Sequence, residues 1–363
     1  MHHTIRSAVA LLGALSASAA MAQSAVSIYG IVDSGLAYTS NVNAAGDSML
    51  KMPSLTSSFP SRLGFRGVED LGGGLQAVFV LENGFGLDTG STGQGGRLFG
   101  RQANVGLKGA FGTITLGRQL NMTFLATIKA DVLGPNLFAI SSIDTYLPNA
   151  RSDNAIGYLG VFSGVTAGAT YSTGRDASAA GGPAATNCAG EVAGNARACR
   201  QVTAMLAYDS KAFGISSSYD VMYGNVGAAG GLTSSDNTDK RATLNGYAML
   251  GQTKIGAGVI DRKTRAVTGP VDSDLYYLGV NHPLTAALVL DAQLAQRNTQ
   301  SSANDVTLLA ARLTYTLSKR TAVYTTIGQM KNKGTSAVAL DAGGTVGAGL
   351  TQNGLMGGLR HTF

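Results

Sequence analysis

His282 and His361 are the two histidines left in this 363-residue chain once its first 22 residues are set aside. A Ser-His-Asp relay would have to use one of them. His282 falls in a short turn segment, His361 near the chain end, and no serine stands in a nucleophile-like context, so the sequence gives hydrolysis no support. Gly90-Ser-Thr-Gly-Gln-Gly-Gly96 has the glycines of a phosphate cradle. It lacks both a following helix and the lysine of a P-loop, and therefore reads as a loop. Cys188 and Cys199 share one Gly/Ala-rich segment with no histidine or third cysteine nearby, which disfavours metal. An even pair in an exported chain points to a disulfide. No cofactor is expected. What remains is charge spaced by two: Arg62 and Arg66 flank Gly64, while Leu63 and Phe65 fall between them.

That spacing belongs to strands, whose successive side chains point to opposite faces. Leu75, Ala77, Phe79 and Leu81 oppose Gln76, Val78, Val80 and Glu82, and Ala103, Val105 and Leu107 oppose Gln102, Asn104 and Lys108. Sixteen such segments divide the chain, the first near 25–40 and the last near 353–363. Short connections (70–74, 109–111, 163, 210–212, 252, 282–285, 317–320) separate longer ones at 41–60, 89–97, 120–152, 174–200, 225–239 and 332–352. Short turns on one rim and long loops on the other suit an antiparallel transmembrane barrel. The terminal strand, Leu355 to Phe363, ends on an aromatic with no capping loop, so its edge must be paired with the first strand.

Charge facing hydrocarbon costs about 2–4 kcal/mol at the midplane. Arg62, Arg66, Glu82, Lys108, Lys254, Arg262, Asp291, Arg297, Arg312 and Arg360 are therefore candidates for a polar lumen. Arg101 and Arg118 have outward parity instead. Either a bulge reverses the face locally, or they meet a neighbouring subunit, where arginine suits buried ion pairs.

Residues 1–22 read as a secretory signal: His2, His3 and Arg6 precede the apolar run 8–15, and Ala20-Met-Ala22 offers a small-x-small cleavage site. The run is too short to span a bilayer as a helix. Residues 23–363 are then one barrel domain. Charged residues make up 13%, against about 25% in soluble proteins. This scarcity, with scattered apolar residues and 50 glycines, favours many strands over a soluble core.

The stretch Arg62-Leu-Gly-Phe-Arg-Gly-Val-Glu-Asp-Leu-Gly-Gly-Gly-Leu-Gln-Ala-Val-Phe-Val-Leu-Glu82 resembles the signature of Gram-negative general porins, the betaproteobacterial branch above all. Tyr29-Gly-Ile-Val-Asp33, Val105-Gly-Leu-Lys-Gly-Ala-Phe-Gly112, Leu116-Gly-Arg-Gln119, Tyr315-Thr-Leu-Ser-Lys-Arg-Thr321 and Gly358-Leu-Arg-His-Thr-Phe363 extend the resemblance over nearly the whole chain. It implies a homotrimer of outer-membrane barrels, each a water-filled pore for small hydrophilic solutes narrowed by an inward-folded third loop. That loop maps to 120–152 and carries Asp131 and Asp144 beside Lys129 and Arg151. An acidic loop facing a basic wall of Arg62, Arg66 and Lys108 would set up a transverse field, with the alternative that both aspartates cap turns within the loop.

The net charge is +6, and about +5 once Arg6 is removed. Basic rings favour anions, so mild anion preference is expected. The basic residues are spread over strands without stacking aromatics between them, which argues against nucleic-acid binding. Expected partners are outer-membrane lipid, lipopolysaccharide and, through the strand ending in Phe363, the barrel-assembly machinery. A substrate-specific channel with a saturable site is the rival reading, and an adhesive role the third.

Overall fold

The computed structural model describes residues 25–54, 57–176 and 186–363. The expected signal segment lies outside them. Sixteen long antiparallel strands form the wall. The first eight are β1 Ala25–Thr39, β2 Arg62–Gly72, β3 Leu75–Gly84, β4 Gln102–Gly109, β5 Gly112–Leu120, β6 Arg151–Phe162, β7 Val165–Gly174 and β8 Gln201–Asp209. The rest are β9 Phe213–Tyr223, β10 Thr238–Leu250, β11 Thr253–Ala266, β12 Gly269–Pro283, β13 Leu288–Thr299, β14 Val306–Thr316, β15 Thr321–Asn332 and β16 Thr351–Thr362. A three-residue strand, Met49–Lys51, adds to β1 from the first long loop.

Each strand pairs with the next in sequence, and β16 pairs with β1 from Thr362 opposite Ile31 to Gly354 opposite Thr39. Phe363 and Gly30 exchange backbone hydrogen bonds of 3.1 and 3.2 Å beyond that ladder. The barrel therefore has no free edge, which is what a sheet in lipid requires. Gly30 fits the closure because a Cβ there would lie 2.3 Å from the Phe363 ring.

Outward positions carry exposed Val105, Leu107, Leu116, Ile156, Leu206, Leu244, Leu278 and Leu355, an apolar face suited to lipid. No helix among the described residues is long and apolar enough to cross a membrane. One connection breaks the alternation of loop lengths. β11 and β12 are joined on the long-loop rim by Val267 and Thr268 alone. At 14 and 15 residues these strands exceed the 9–11 needed to cross, and their tips are clasped by Arg265 and Asp272, with Nη2 3.0 Å from Oδ2.

The loop between β5 and β6 folds into the barrel. It opens with helix α1, Met122–Thr127, whose start is fixed by Asn121, its side-chain oxygen accepting from the Thr123 and Phe124 amides. α1 lies against β7 to β10. The chain then crosses the lumen, forms the short helix α2, Ile140–Ile143, and returns through a 3₁₀ turn, Leu147–Asn149. Leu133, Phe138 and Ile140 are buried against inward-pointing Ile260, Leu308, Met330 and Met356. Each large side chain so buried stabilises the docked loop by about 1.5–3 kcal/mol. The wall makes room with glycine: a Cβ at Gly354 would lie 2.6 Å from the Phe138 ring, and one at Gly256 would lie 2.0 Å from the Ala130 carbonyl.

Cys188 and Cys199 are joined by a disulfide across 11 positions in the fourth long loop. Closing a loop of that length contributes about 3 kcal/mol on the chain-entropy account.

Candidate functional site

Space remains beside the docked loop, between it and the residues that open β2 and β4. A cavity of about 270 Å³ lies there, with Ser61 and Arg101 of the wall and Lys51 of the first loop facing Pro135, Ser141 and Pro148 of the inward loop. Glu82 organises this wall. It sits on β3 opposite Gly64 of β2 and Gln102 of β4. Because Gly64 has no side chain, the Tyr29 ring lies across it and its hydroxyl donates to Glu82 Oε2 at 2.9 Å. Arg101 Nε donates to Glu82 Oε1 at 2.7 Å, and Arg62 Nε stands 3.9 Å from Oε2.

Arg151, the first residue of β6, joins the group from the foot of the inward loop. The charges acting on it are those of Arg101, Arg118, Glu82 and Arg175. Its Nη1 donates to the Pro148 carbonyl at 3.3 Å and to Asn149 Oδ1 at 3.4 Å. Its Nε and Nη2 are buried without a hydrogen-bond partner. Arg62 and Arg101 thus flank one carboxylate while the Arg151 charge acts on the same group from further off, a local excess of positive charge in walls that focus its field.

The other candidates make no contact with Glu82 itself. Arg66 stacks over Tyr29, 5.4 Å from the ring centroid. Lys108 is exposed one residue from the short turn after β4, far down the wall. On the opposite wall Arg312 grips Asp291 at 2.8 and 3.0 Å and reaches the Leu133 carbonyl at 3.3 Å. Arg360 lies 4.6 Å over Phe59, with Nη1 3.4 Å from Ser58 Oγ.

Asp131 and Asp144 do not face Arg62 and Arg66. Both are turned toward the wall behind the loop, where they tie it down. Asp144 accepts from Arg241 Nε and Nη2 at 2.9 and 3.1 Å. Arg241 in turn meets Asp239, and Asp239 meets Arg262, a chain of two acids and two bases with no net charge. Burial pushes the Asp144 carboxyl up, but Arg241 and then Arg262 outweigh it and hold it well below the usual carboxylate range. Asp131 accepts from Gln293 Nε2 at 2.8 Å. There crowding by protein atoms wins over that bond, the Gly134 and Leu133 amides and Arg312, and pushes the carboxyl up to about 6. Since its undocked value is near 4, the docked loop binds more protons than the released one between about pH 4 and 6. Docking therefore weakens as pH rises through that window. Loop-opening flicker in single-channel records is expected to be rarer at pH 5 than at pH 7.5, and Asp131→Asn should flatten the dependence. A profile unchanged by that substitution would exclude Asp131 as its source.

Arg101 and Arg118 both find carboxylates within the chain, as the alternative of a locally reversed face expects. Arg101 precedes β4 by one residue, so strand parity does not apply to it, and it turns inward to Glu82 with its own amide on the Glu82 carbonyl at 3.0 Å. At Arg118 the β5–β6 register shifts between Leu116 and Gln119, a bulge with Gly117 at φ 110°. Arg118 Nε donates to the Gly100 carbonyl at 2.7 Å and its Nη1 pairs with Asp153. Arg97 bridges the same Asp153 and Asp176.

Fold and site together define a transmembrane channel of the outer membrane with a charged constriction beside an inward-folded loop. Residues 7–335 match the Gram-negative porin family, and the chain belongs to it. Outer membrane porin protein 32 of Delftia acidovorans is 33% identical, with 99% of each chain covered. Among solved structures, the anion-selective porin from Comamonas acidovorans superposes with a TM-score of 0.79 at 27% identity, covering 94% of this chain and 100% of that one. OmpT of Vibrio cholerae, solved in a trimer form, shares the fold at 15% identity and a TM-score of 0.64, over 94% of this chain and 99% of its own. The chain is an outer-membrane porin, and the general diffusion channel it forms admits small hydrophilic solutes.

Proposed function

We propose that this porin prefers anions and that Arg62, Arg101 and Arg151 form its filter. The observation that carries the reading is the excess of cations at Glu82, with Arg62 and Arg101 on its carboxylate and the Arg151 charge acting on the same group from further off, beside the cavity the loop leaves open. Basic rings lining a narrow opening favour anions, and the similar porin from Comamonas acidovorans is described as anion-selective. Arg66, Lys108, Arg312 and Arg360 contribute at longer range along the path. The working unit is a homotrimer in outer-membrane lipid and lipopolysaccharide. The chain matures by cleavage near Ala22 and is inserted by the barrel-assembly machinery through the strand ending in Phe363. It has no catalytic role.

The test is the reversal potential of purified protein in planar bilayers under a potassium chloride gradient. Openings in steps of three with a chloride-selective reversal support the reading. A potassium-selective reversal overturns the guanidinium filter while leaving the pore intact. Flux that saturates with one solute class would favour a substrate-specific channel instead.

A further inference from the structure

Among the described residues, many inward-pointing apolar side chains are covered by the folded loop, but a group near the short-turn rim on β6 to β8 is not. Beneath the far end of α1, Leu125 and Ile128 of the loop face Leu159, Val161 and Met205 of the wall across a cavity of about 190 Å³. Val161 remains 63% exposed there, although its inward parity with Leu159 sets it toward a watery lumen. The rim of the cavity is charged. Lys129, itself part of the lining, meets Asp209 at 2.5 Å with more than half of its side chain open. Tyr247 donates to the same Asp209 at 3.0 Å, and Lys254 lies 4.7 Å over the Tyr247 ring. Asp131 also acts on Lys254, but its carboxylate is tied to Gln293 beneath the loop. The rim thus presents two ammonium groups against one accessible carboxylate.

We propose that this cavity is a holding site for small amphiphilic monocarboxylates, separate from the guanidinium filter and on the exit side of it. The tail occupies the apolar slot and the carboxylate sits at Lys129, whose ammonium has three donors, of which Asp209 engages one. Liquid water occupies about 30 Å³ per molecule, so the slot takes roughly six heavy atoms, the size of a phenyl ring or the chain of hexanoate. An apolar tail is drawn there because it removes both itself and Val161 from water. Acetate has nothing to place in the slot and gains little from it.

The experiment adds hexanoate or acetate to the short-turn side of single channels of the mature protein and follows chloride current. Each methylene seated in the slot raises affinity by up to about fourfold. Hexanoate is therefore expected to reduce current saturably at a concentration at least about tenfold below that needed for acetate. Val161→Thr keeps the shape but wets the slot, and should weaken the hexanoate effect about fourfold without altering chloride conductance or selectivity. Lys129→Gln, on an exposed side chain that the fold does not need, should erase the preference for hexanoate over hexanamide. Equal effects of acetate and hexanoate would overturn the proposal. So would a block that neither substitution weakens, or one abolished by Arg151→Gln and untouched by Val161→Thr, which would place it at the filter.

Discussion

Replacing Arg151 by glutamine lowers the chloride-to-potassium permeability ratio about tenfold. A unit charge about 6 Å from a passing ion contributes roughly 0.7 kcal/mol even at the dielectric constant of water. That favours chloride about threefold and disfavours potassium about threefold, and the two effects multiply in the ratio. Arg151 is a clean position for the test because its Nε and Nη2 hold no partner and Nη1 makes only two long hydrogen bonds, so the substitution breaks little besides the charge. Glu82→Gln acts in the opposite direction. It removes the one carboxylate of the cluster and raises the ratio, but it also leaves Arg62 and Arg101 to repel each other, so thermal stability falls along with it. Both shifts shrink at high salt, where the Debye length falls to about 3 Å at 1 M. Reversal potentials in dilute potassium chloride are the measurement. An unchanged ratio for Arg151→Gln would place the ion path away from this cluster.

Gly354→Leu is expected to expel the inward loop and widen the pore. A side chain there meets the Phe138 ring, which has no space to retreat between Gly328 and Leu340. Phe138→Ala removes the same contact from the loop side, and truncating a buried phenylalanine costs about 3–5 kcal/mol. In both variants single-channel conductance rises, flicker increases, and anion preference falls as the loop withdraws from Arg101. Gly357→Leu is the control on the same strand. It points outward, where a Cβ meets only the Tyr324 carbonyl at 3.7 Å, and should leave conductance as it was. Wild-type conductance in Gly354→Leu would mean that the loop is held by its polar ties to Arg241 and Gln293 and not by this packing.

The alternation that reveals the strands also limits what can be read from them. It works on β2 to β4, where one face is apolar and the other polar. On β14 it fails, because Val306, Leu308 and Ala310 point inward to hold the loop while Leu309 points to lipid. Both faces are apolar there, and no pattern of two distinguishes lipid from a docked loop. Parity misplaces Arg101 for a simpler reason: the residue stands one position before its strand begins. The loop's aspartates look like pore-lining acids in sequence, since nothing local shows that Arg241 and Gln293 wait behind them. The signal for Arg151 was present, as a cation opening the strand after the inward loop, but its neighbours in the chain do not point to Arg101.

Local rules were enough for the wall. Period-two patterning and glycine-rich short turns follow from what lipid demands of a backbone whose every polar group must be paired. The sequence by itself therefore determined the strands, their order, the closure of the last on the first and the pairing of Cys188 with Cys199. Tertiary structure alone decided where the charges meet. Glu82 and Arg101 are 19 residues apart, Asp144 and Arg241 are 97 apart, and Asp131 and Gln293 are 162 apart. The contacts of Asp144 and Asp131 are chosen by the path of the loop across the lumen, and that path is fixed by burial of Phe138 and its neighbours against glycines on distant strands. The barrel is written in local periodicity; the narrow opening beside the filter exists only once the loop has docked.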